Sequence, residues 1–161
     1  SSDGAVVAIG APKNDGNGFE AGRVYVLEYN GTEYHLRAQF IDGEGATICF
    51  GMSVSFSSDG SVLAVGAPSS SGAGLIGRVQ VFEYNGTKYV QRGENINGES
   101  VGDLFGTTVS LSSDGEVVAI GANGNGTTSG HVRVYEYDGD NYVQRAEDID
   151  EECSADGFFN L

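Results

Sequence analysis

The stretch SSDGSVLAVGAP (residues 57–68), followed by GRVQVFEYNG (residues 77–86), decides the fold. SVLAVGA is a continuous apolar run of strand length, which suits a strand buried on both faces. In the second segment Val79, Val81 and Glu83 alternate with Arg78, Gln80, Phe82 and Tyr84, the period-two signature of a strand. Asn85-Gly86 is a hairpin signal, because both residues tolerate the positive φ of a type I′ turn. Upstream, FGMSVSF (residues 50–56) is rich in small and β-branched residues and ends at the turn Ser57-Ser58-Asp59-Gly60. Downstream, residues 89–92 supply a fourth strand. No segment carries a 3.6-residue period, so the unit reads as all-β.

This unit recurs. The tetrapeptide SSDG stands at Ser1, Ser57 and Ser112, in steps of about 55 residues. VAIGAP from Val7, LAVGAP from Leu63 and VAIGAN from Val118 follow it. Next come GRVYVLEYNG from Gly22, GRVQVFEYNG from Gly77 and GHVRVYEYDG from Gly130. Each copy then continues with Tyr34, Tyr89 or Tyr142 and an arginine three places on, Arg37, Arg92 or Arg145. A tandem array of four-stranded units of this length points to β-propeller blades. A β-helix has much shorter coils, and a sandwich has no reason to repeat itself.

Composition agrees with a turn-rich soluble chain. There are 26 glycines and 2 prolines among 161 residues, a glycine share well above the usual ~7%. Eight Lys+Arg against 23 Asp+Glu give a formal charge of −15, which repels polyphosphate and excludes a nucleic-acid-binding role. The longest apolar runs fall far short of the ~20 residues that span a bilayer. Two cysteines, Cys49 and Cys153, are too few for a disulfide scaffold or a four-ligand zinc site. The chain opens on Ser1-Ser2 without methionine or leader, which reads as a processed or partial chain.

Phe50-Gly51 followed by Gly66-Ala67-Pro68, and Phe105-Gly106 followed by Gly121-Ala122, resemble the FG-GAP repeat. That family builds the seven-bladed propeller of integrin α-subunits and of many bacterial and algal surface proteins, and the resemblance covers essentially the whole chain. The WD-repeat has a comparable turn, but its units are ~40–45 residues long, and this chain contains no tryptophan. The expected layout is one propeller segment over residues 1–161, roughly three blades of a partial ring. Repeat 1 (residues 1–49) lacks its first strand; repeat 2 covers 50–104 and repeat 3 covers 105–157. Residues 158–161 start a further blade.

The family often carries a calcium loop, D-x-D-x-D-G-x-x-D, between its first two strands. Laid over the second unit, its ligand positions are Ser55, Ser57, Asp59 and Leu63, and over the third Ser110, Ser112, Asp114 and Val118. A single carboxylate remains and the last position is apolar, so the loop reads as a plain turn capped by its aspartate. No cofactor is expected, with weak calcium binding confined to the acidic run Asp148-Ile149-Asp150-Glu151-Glu152.

No catalytic constellation is visible. His35 and His131 occupy different positions in the repeat and have no partner at metal-ligand spacing. The recurrent tyrosines (Tyr29, Tyr84, Tyr137, Tyr34, Tyr89, Tyr142), glutamates (Glu28, Glu83, Glu136) and arginines read as residues that hold each blade in place. What varies between units is the loops. Propeller geometry puts the loop between strands two and three on the same face as the loop into the next blade. That face collects Asp15, Glu20, Asp42, Glu44, Glu94, Glu99, Asp103, Glu147, Asp148, Asp150, Glu151, Glu152 and Asp156, with Lys13 the only clear base among the loops. The resemblance assigns ligands to this face, and a concentrated negative field suits a basic protein or a cation-bridged glycan.

Three N-x-T sequons, at Asn30, Asn85 and Asn125, together with the resemblance, point to an extracellular or cell-surface location. The expected function is a non-enzymatic FG-GAP-type scaffold for protein or glycan binding or adhesion through the acidic face. The alternatives are a structural or accessory subunit of a larger assembly, or the propeller part of a carbohydrate-processing enzyme. Three units make only an arc, with flat faces and an unpaired edge at each end, so further blades or another chain are expected to complete the ring.

Overall fold

The computed structural model describes residues 1–69, 74–124 and 130–150. They form an all-β arrangement of antiparallel sheets, with no helix among the described residues. The first sheet holds β1 (Val6–Ala11), β2 (Arg23–Tyr29), β3 (Tyr34–Leu36) and β4 (Ile41–Asp42). The second holds β5 (Ser53–Phe56), β6 (Val62–Ala67), β7 (Ile76–Tyr84), β8 (Tyr89–Gln91) and β9 (Ile96–Val101). The third holds β10 (Phe105–Leu111), β11 (Val117–Ala122), β12 (His131–Tyr137), β13 (Tyr142–Gln144) and β14 (Ile149–Asp150). Strands follow one another in chain order across each sheet, and none of the sheets closes on itself. No helix of the described residues is long and apolar enough to cross a membrane.

The fourth strand is longer than the sequence pattern predicts, and it is broken. β8 pairs with β7 through Tyr89↔Tyr84 and Gln91↔Phe82, and β9 resumes on the same edge of β7 with Ile96↔Val79. Two extra residues are accommodated between these pairings, and the same slip separates β3 from β4 along β2 and β13 from β14 along β12. Residues read from sequence as part of a linking loop therefore belong to the outer strand.

Two apolar layers hold the three sheets together. Leu63, Val65 and Ala67 of β6 pack with Phe82 and Tyr89 against Val6, Val24 and Val26 of the first sheet. Val62 and Ala64 of the same strand, with Val79, Val81 and Ile96, pack against Val118, Ile120, Tyr135 and Tyr142 of the third. Consecutive side chains of β6 thus enter opposite cores, which is why its sequence is apolar without alternation. Phe50 and Phe105 are fully buried at equivalent places in the two layers. Each meets an aromatic ring edge-on, Phe50 with Phe82 at 6.1 Å and Phe105 with Tyr135 at 6.4 Å between centroids.

The SSDG segments are tight turns closed from within. Asp59 Oδ1 accepts the Ser61 N–H at 2.9 Å and the hydroxyls of Ser57 and Ser61 at 2.7 Å. Ser57 Oγ accepts the Val62 N–H at 2.9 Å, and Gly60 takes the positive φ of 71°. These bonds favour the ionised carboxylate and hold Asp59 down to about 2; the equivalent bonds lower Asp3 and Asp114 as well. A carboxyl lowered in the folded state stabilises the fold above its unfolded pKa, near 3.9, and loses that contribution as pH falls through the folded value. The melting temperature is therefore expected to drop between about pH 4 and pH 2. Asp59→Asn should flatten that drop, measured by circular dichroism, and an unchanged pH profile would contradict the turn assignment.

Candidate functional site

The register places the loops that carry most of the acidic candidates at one edge of the sheets. β1 ends at Ala11, opposite Arg23 at the start of β2, and Asp42 of β4 pairs with the same arginine. The loops at this edge are tied to one another through the backbone. In the first unit Phe19, Glu20 and Ala21 accept N–H bonds from Thr47, Cys49 and Phe50 at 2.7, 3.0 and 3.1 Å. One unit on, the Ser69 N–H donates to Ile48 O at 3.1 Å, and the equivalent Gly124 N–H donates to Asp103 O at 2.9 Å. Among the described residues, the strand-two-to-three loops and the inter-unit linkers beside them so form a bonded platform.

Asp15 lies on this platform, where its Oδ1 accepts the Glu20 N–H at 2.8 Å, and Glu20 stands 3.9 Å from exposed Lys13. Asp103 closes a small turn by accepting the Ser100 N–H at 2.9 Å. Asp42 is gripped in a bidentate pair by Arg23, at 2.6 and 3.1 Å, while the guanidinium lies 3.5 Å over the Phe40 ring. Glu44 reaches from the first unit to Arg78 of the second at 3.2 Å. Glu99 likewise reaches from the second unit to Arg133 of the third at 2.8 Å. Arg133 is buried and also forks onto Asp148 at 2.8 and 2.6 Å, which lowers the Asp148 carboxyl. Four of the candidate acids are thus counter-charged by strand arginines. These bases come from strands and not from loops; in the sequence Arg23, Arg78 and Arg133 stand as charges beside valines in alternating strands.

Glu94 and Glu147 sit elsewhere. Both fall in the interruption of the fourth strand, on the outer flank of their sheets rather than in the linkers, because the strand resumes after them. The Glu94 N–H donates to Asn141 Oδ1 of the next sheet at 2.8 Å. Asp150 belongs to β14, paired with His131. Glu151, Glu152 and Asp156 lie outside the described residues, as do Cys153 and the sequon residue Asn125. Among the described residues no group of three or more His, Cys, Asp or Glu is placed to hold a metal ion.

Asn30 and Asn85 are exposed on hairpin turns. Asn30 Oδ1 accepts the N–H groups of Thr32 and Glu33 at 2.9 and 3.0 Å, and Asn85 does the same for Thr87 and Lys88. Asp138 makes the identical pair of bonds in the third unit. An acceptor oxygen is what these turns require, so turn chemistry accounts for the first two sequons without reference to glycosylation.

The repeated tyrosines and arginines form the joints between sheets. Arg37 leaves the first sheet, lies 4.1 Å over the Tyr84 ring of the second and donates to Gly60 O at 3.2 Å. Arg92 leaves the second, lies 3.9 Å over Tyr137 of the third, and donates to Gly115 O at 3.4 Å and Glu116 at 2.7 Å. The same carbonyls accept the hydroxyls of Tyr89 and Tyr142, each at 2.6 Å. Between the inner strands an open groove of about 580 Å³ is lined by serines with Gly4, Val6, Val7, Ala8, Val54, Phe56 and Leu111. It offers hydroxyls and apolar surface but no carboxylate, imidazole or phenol. No protein-family model matches the chain, and no curated protein matches it.

Proposed function

We propose that the three sheets are consecutive blades of an FG-GAP-type β-propeller, and that the chain is a non-enzymatic scaffold binding basic protein segments at its acidic loop edge. The observation that carries the functional reading is the platform. Asp15, Glu20, Glu44, Glu99 and Asp103 stand on loops and strand ends whose backbones are bonded to one another. Charges held in fixed positions recognise a cationic partner at lower ordering cost than charges on free loops. Glu44 and Glu99 remain largely exposed even in their arginine pairs, and Asp15 and Asp103 make no ion pair among the described residues. The propeller reading is supported by the recurrence of one joint, Arg37 on Tyr84 and Arg92 on Tyr137. An extracellular setting rests on the resemblance alone.

The test is capture of an immobilised lysine-rich peptide, with a glycan array as a second arm. Asp15→Asn/Asp103→Asn should weaken peptide capture about three- to tenfold at low salt, with wild-type binding fading as salt rises. Glu33→Gln/Asp140→Asn removes the same charge from the opposite edge and should have a smaller effect. Equal effects of the two double variants would reduce the edge to general charge, and glycan binding without peptide binding would reassign the ligand.

A further inference from the structure

Each internal joint has two halves. The donor half is the face that carries Val62, Ala64, Val79, Val81, Ile96 and the clamp Arg92 in the second sheet. The acceptor half, on the opposite face of the same sheet, carries Leu63, Val65, Phe82, Tyr84 and Tyr89, with Gly60 O as the socket. The outer sheets carry the corresponding second-to-fourth-strand residues on their free faces, the first sheet without a counterpart of β5 and β10. On the third sheet the donor set is Val117, Ala119, Val132, Val134, Ile149 and Arg145; on the first the acceptor set is Val7, Ile9, Leu27, Tyr29 and Tyr34.

These outer halves are built but uncovered. Tyr34 donates to Gly4 O at 2.7 Å, the bond that Tyr89 and Tyr142 make at the occupied joints, yet Tyr34 is 48% exposed against their 8% and 7%. Ile9 is 47% exposed where its counterpart Val65 is fully buried, and Ile149 is 60% exposed where Ile96 is 6%. The Arg145 side chain is 57% exposed against 9% for Arg92, and its contact is Glu136 of its own sheet at 3.5 Å. In the occupied joint Arg92 is likewise 3.8 Å from its own Glu83 while stacked on the next sheet, so Arg145 is already held in the clamp's position.

We infer that the free face of the first sheet binds the free face of the third sheet of a second copy of this chain, with Arg145 stacking on Tyr29 and donating to the Gly4 carbonyl. The inference rests on reading the sheets as packed propeller blades. The occupant follows from the joints themselves: the surface that covers an acceptor half is a donor half, and among the described residues one donor half and one acceptor half stand uncovered. Such a contact is heterologous, so it closes only if the rotation permits. Two copies closing on each other count six sheets, within the roughly four to eight blades of closed propellers. A dimer is therefore the expected species.

Sedimentation velocity across a concentration series tests it with the full chain. Wild type should pass from monomer to dimer. Arg145→Glu should remain monomeric, and so should Ile9→Lys, which alters an exposed side chain on the other half. Mixing the two variants should restore a 1:1 dimer, weaker than wild type because only one joint is intact. A wild type that stays monomeric at its highest soluble concentration would overturn the inference, as would a dimer that survives both variants or a mixture that stays monomeric. Asp15→Asn/Asp103→Asn should dimerise normally, so a failure here and a failure of the acidic-edge reading are separate results.

Discussion

Phe105→Ala is expected to destabilise the protein by about 3–5 kcal/mol, a large part of the ~5–15 kcal/mol that holds a typical domain. The ring is fully buried between the second and third sheets, edge-on to Tyr135. Its Cβ also stands where any side chain at Gly98 would go, so the neighbouring backbone is already in contact and cannot collapse into the space left behind. The cavity term therefore adds to the lost transfer energy. Phe105→Leu retains much of the volume and should cost less than half as much. Urea denaturation measures both, and a loss below ~1 kcal/mol for the alanine variant would mean that this layer is not a core.

Gly66→Ala is expected to cost about 2–3 kcal/mol by overpacking. A Cβ at Gly66 would overlap the Gly106 carbonyl oxygen and the Ser53 hydroxyl. The hydroxyl can rotate away, but the carbonyl cannot. Gly106 holds a φ of 90°, and its own Cα direction is closed by Arg78 O and Val79. The same collision recurs between Gly10 and the Gly51 carbonyl one joint earlier. The glycines of the first two Gly-Ala pairs, Gly10 and Gly66, thus meet the glycine of the following Phe-Gly pair, and two sheets approach backbone to backbone. Gly121→Ala provides the internal contrast, because there the near atom is the Thr108 hydroxyl of its own sheet. Gly45→Ala meets nothing and should fall within ~0.5 kcal/mol of wild type. Equal costs at Gly66, Gly121 and Gly45 would contradict a joint of this kind.

Both predictions concern residues that the sequence already marked, and this shows how far its reading reached. The strands in SVLAVGA and RVQVFEY, the SSDG turns and the packing role of the recurrent tyrosines were legible because each follows from local periodicity or turn chemistry repeated three times. The second half of the fourth strand was not legible. Ile41-Asp42 and Ile149-Asp150 contribute two paired residues each after a break, too few for alternation to register. The acidic edge was legible as charge but not as chemistry. Counting loop residues finds Asp42, Glu44, Glu99 and Asp148 without their partners, since Arg23, Arg78 and Arg133 come from strands and meet them only after folding. Arg133 is buried and Arg23 and Arg78 are half-buried, which favours the pairing, and the acids without such a pair are a smaller set.

One joint, used twice, is proposed to turn successive sheets about a common axis as propeller blades. A crystal structure of the chain measures this directly, through the rotations that superpose the first sheet on the second and the second on the third. The expected result is two rotations about one shared axis, equal within a few degrees and each between about 45° and 90° for a ring of four to eight blades. Two rotations about different axes, or a plain translation from sheet to sheet, would contradict it.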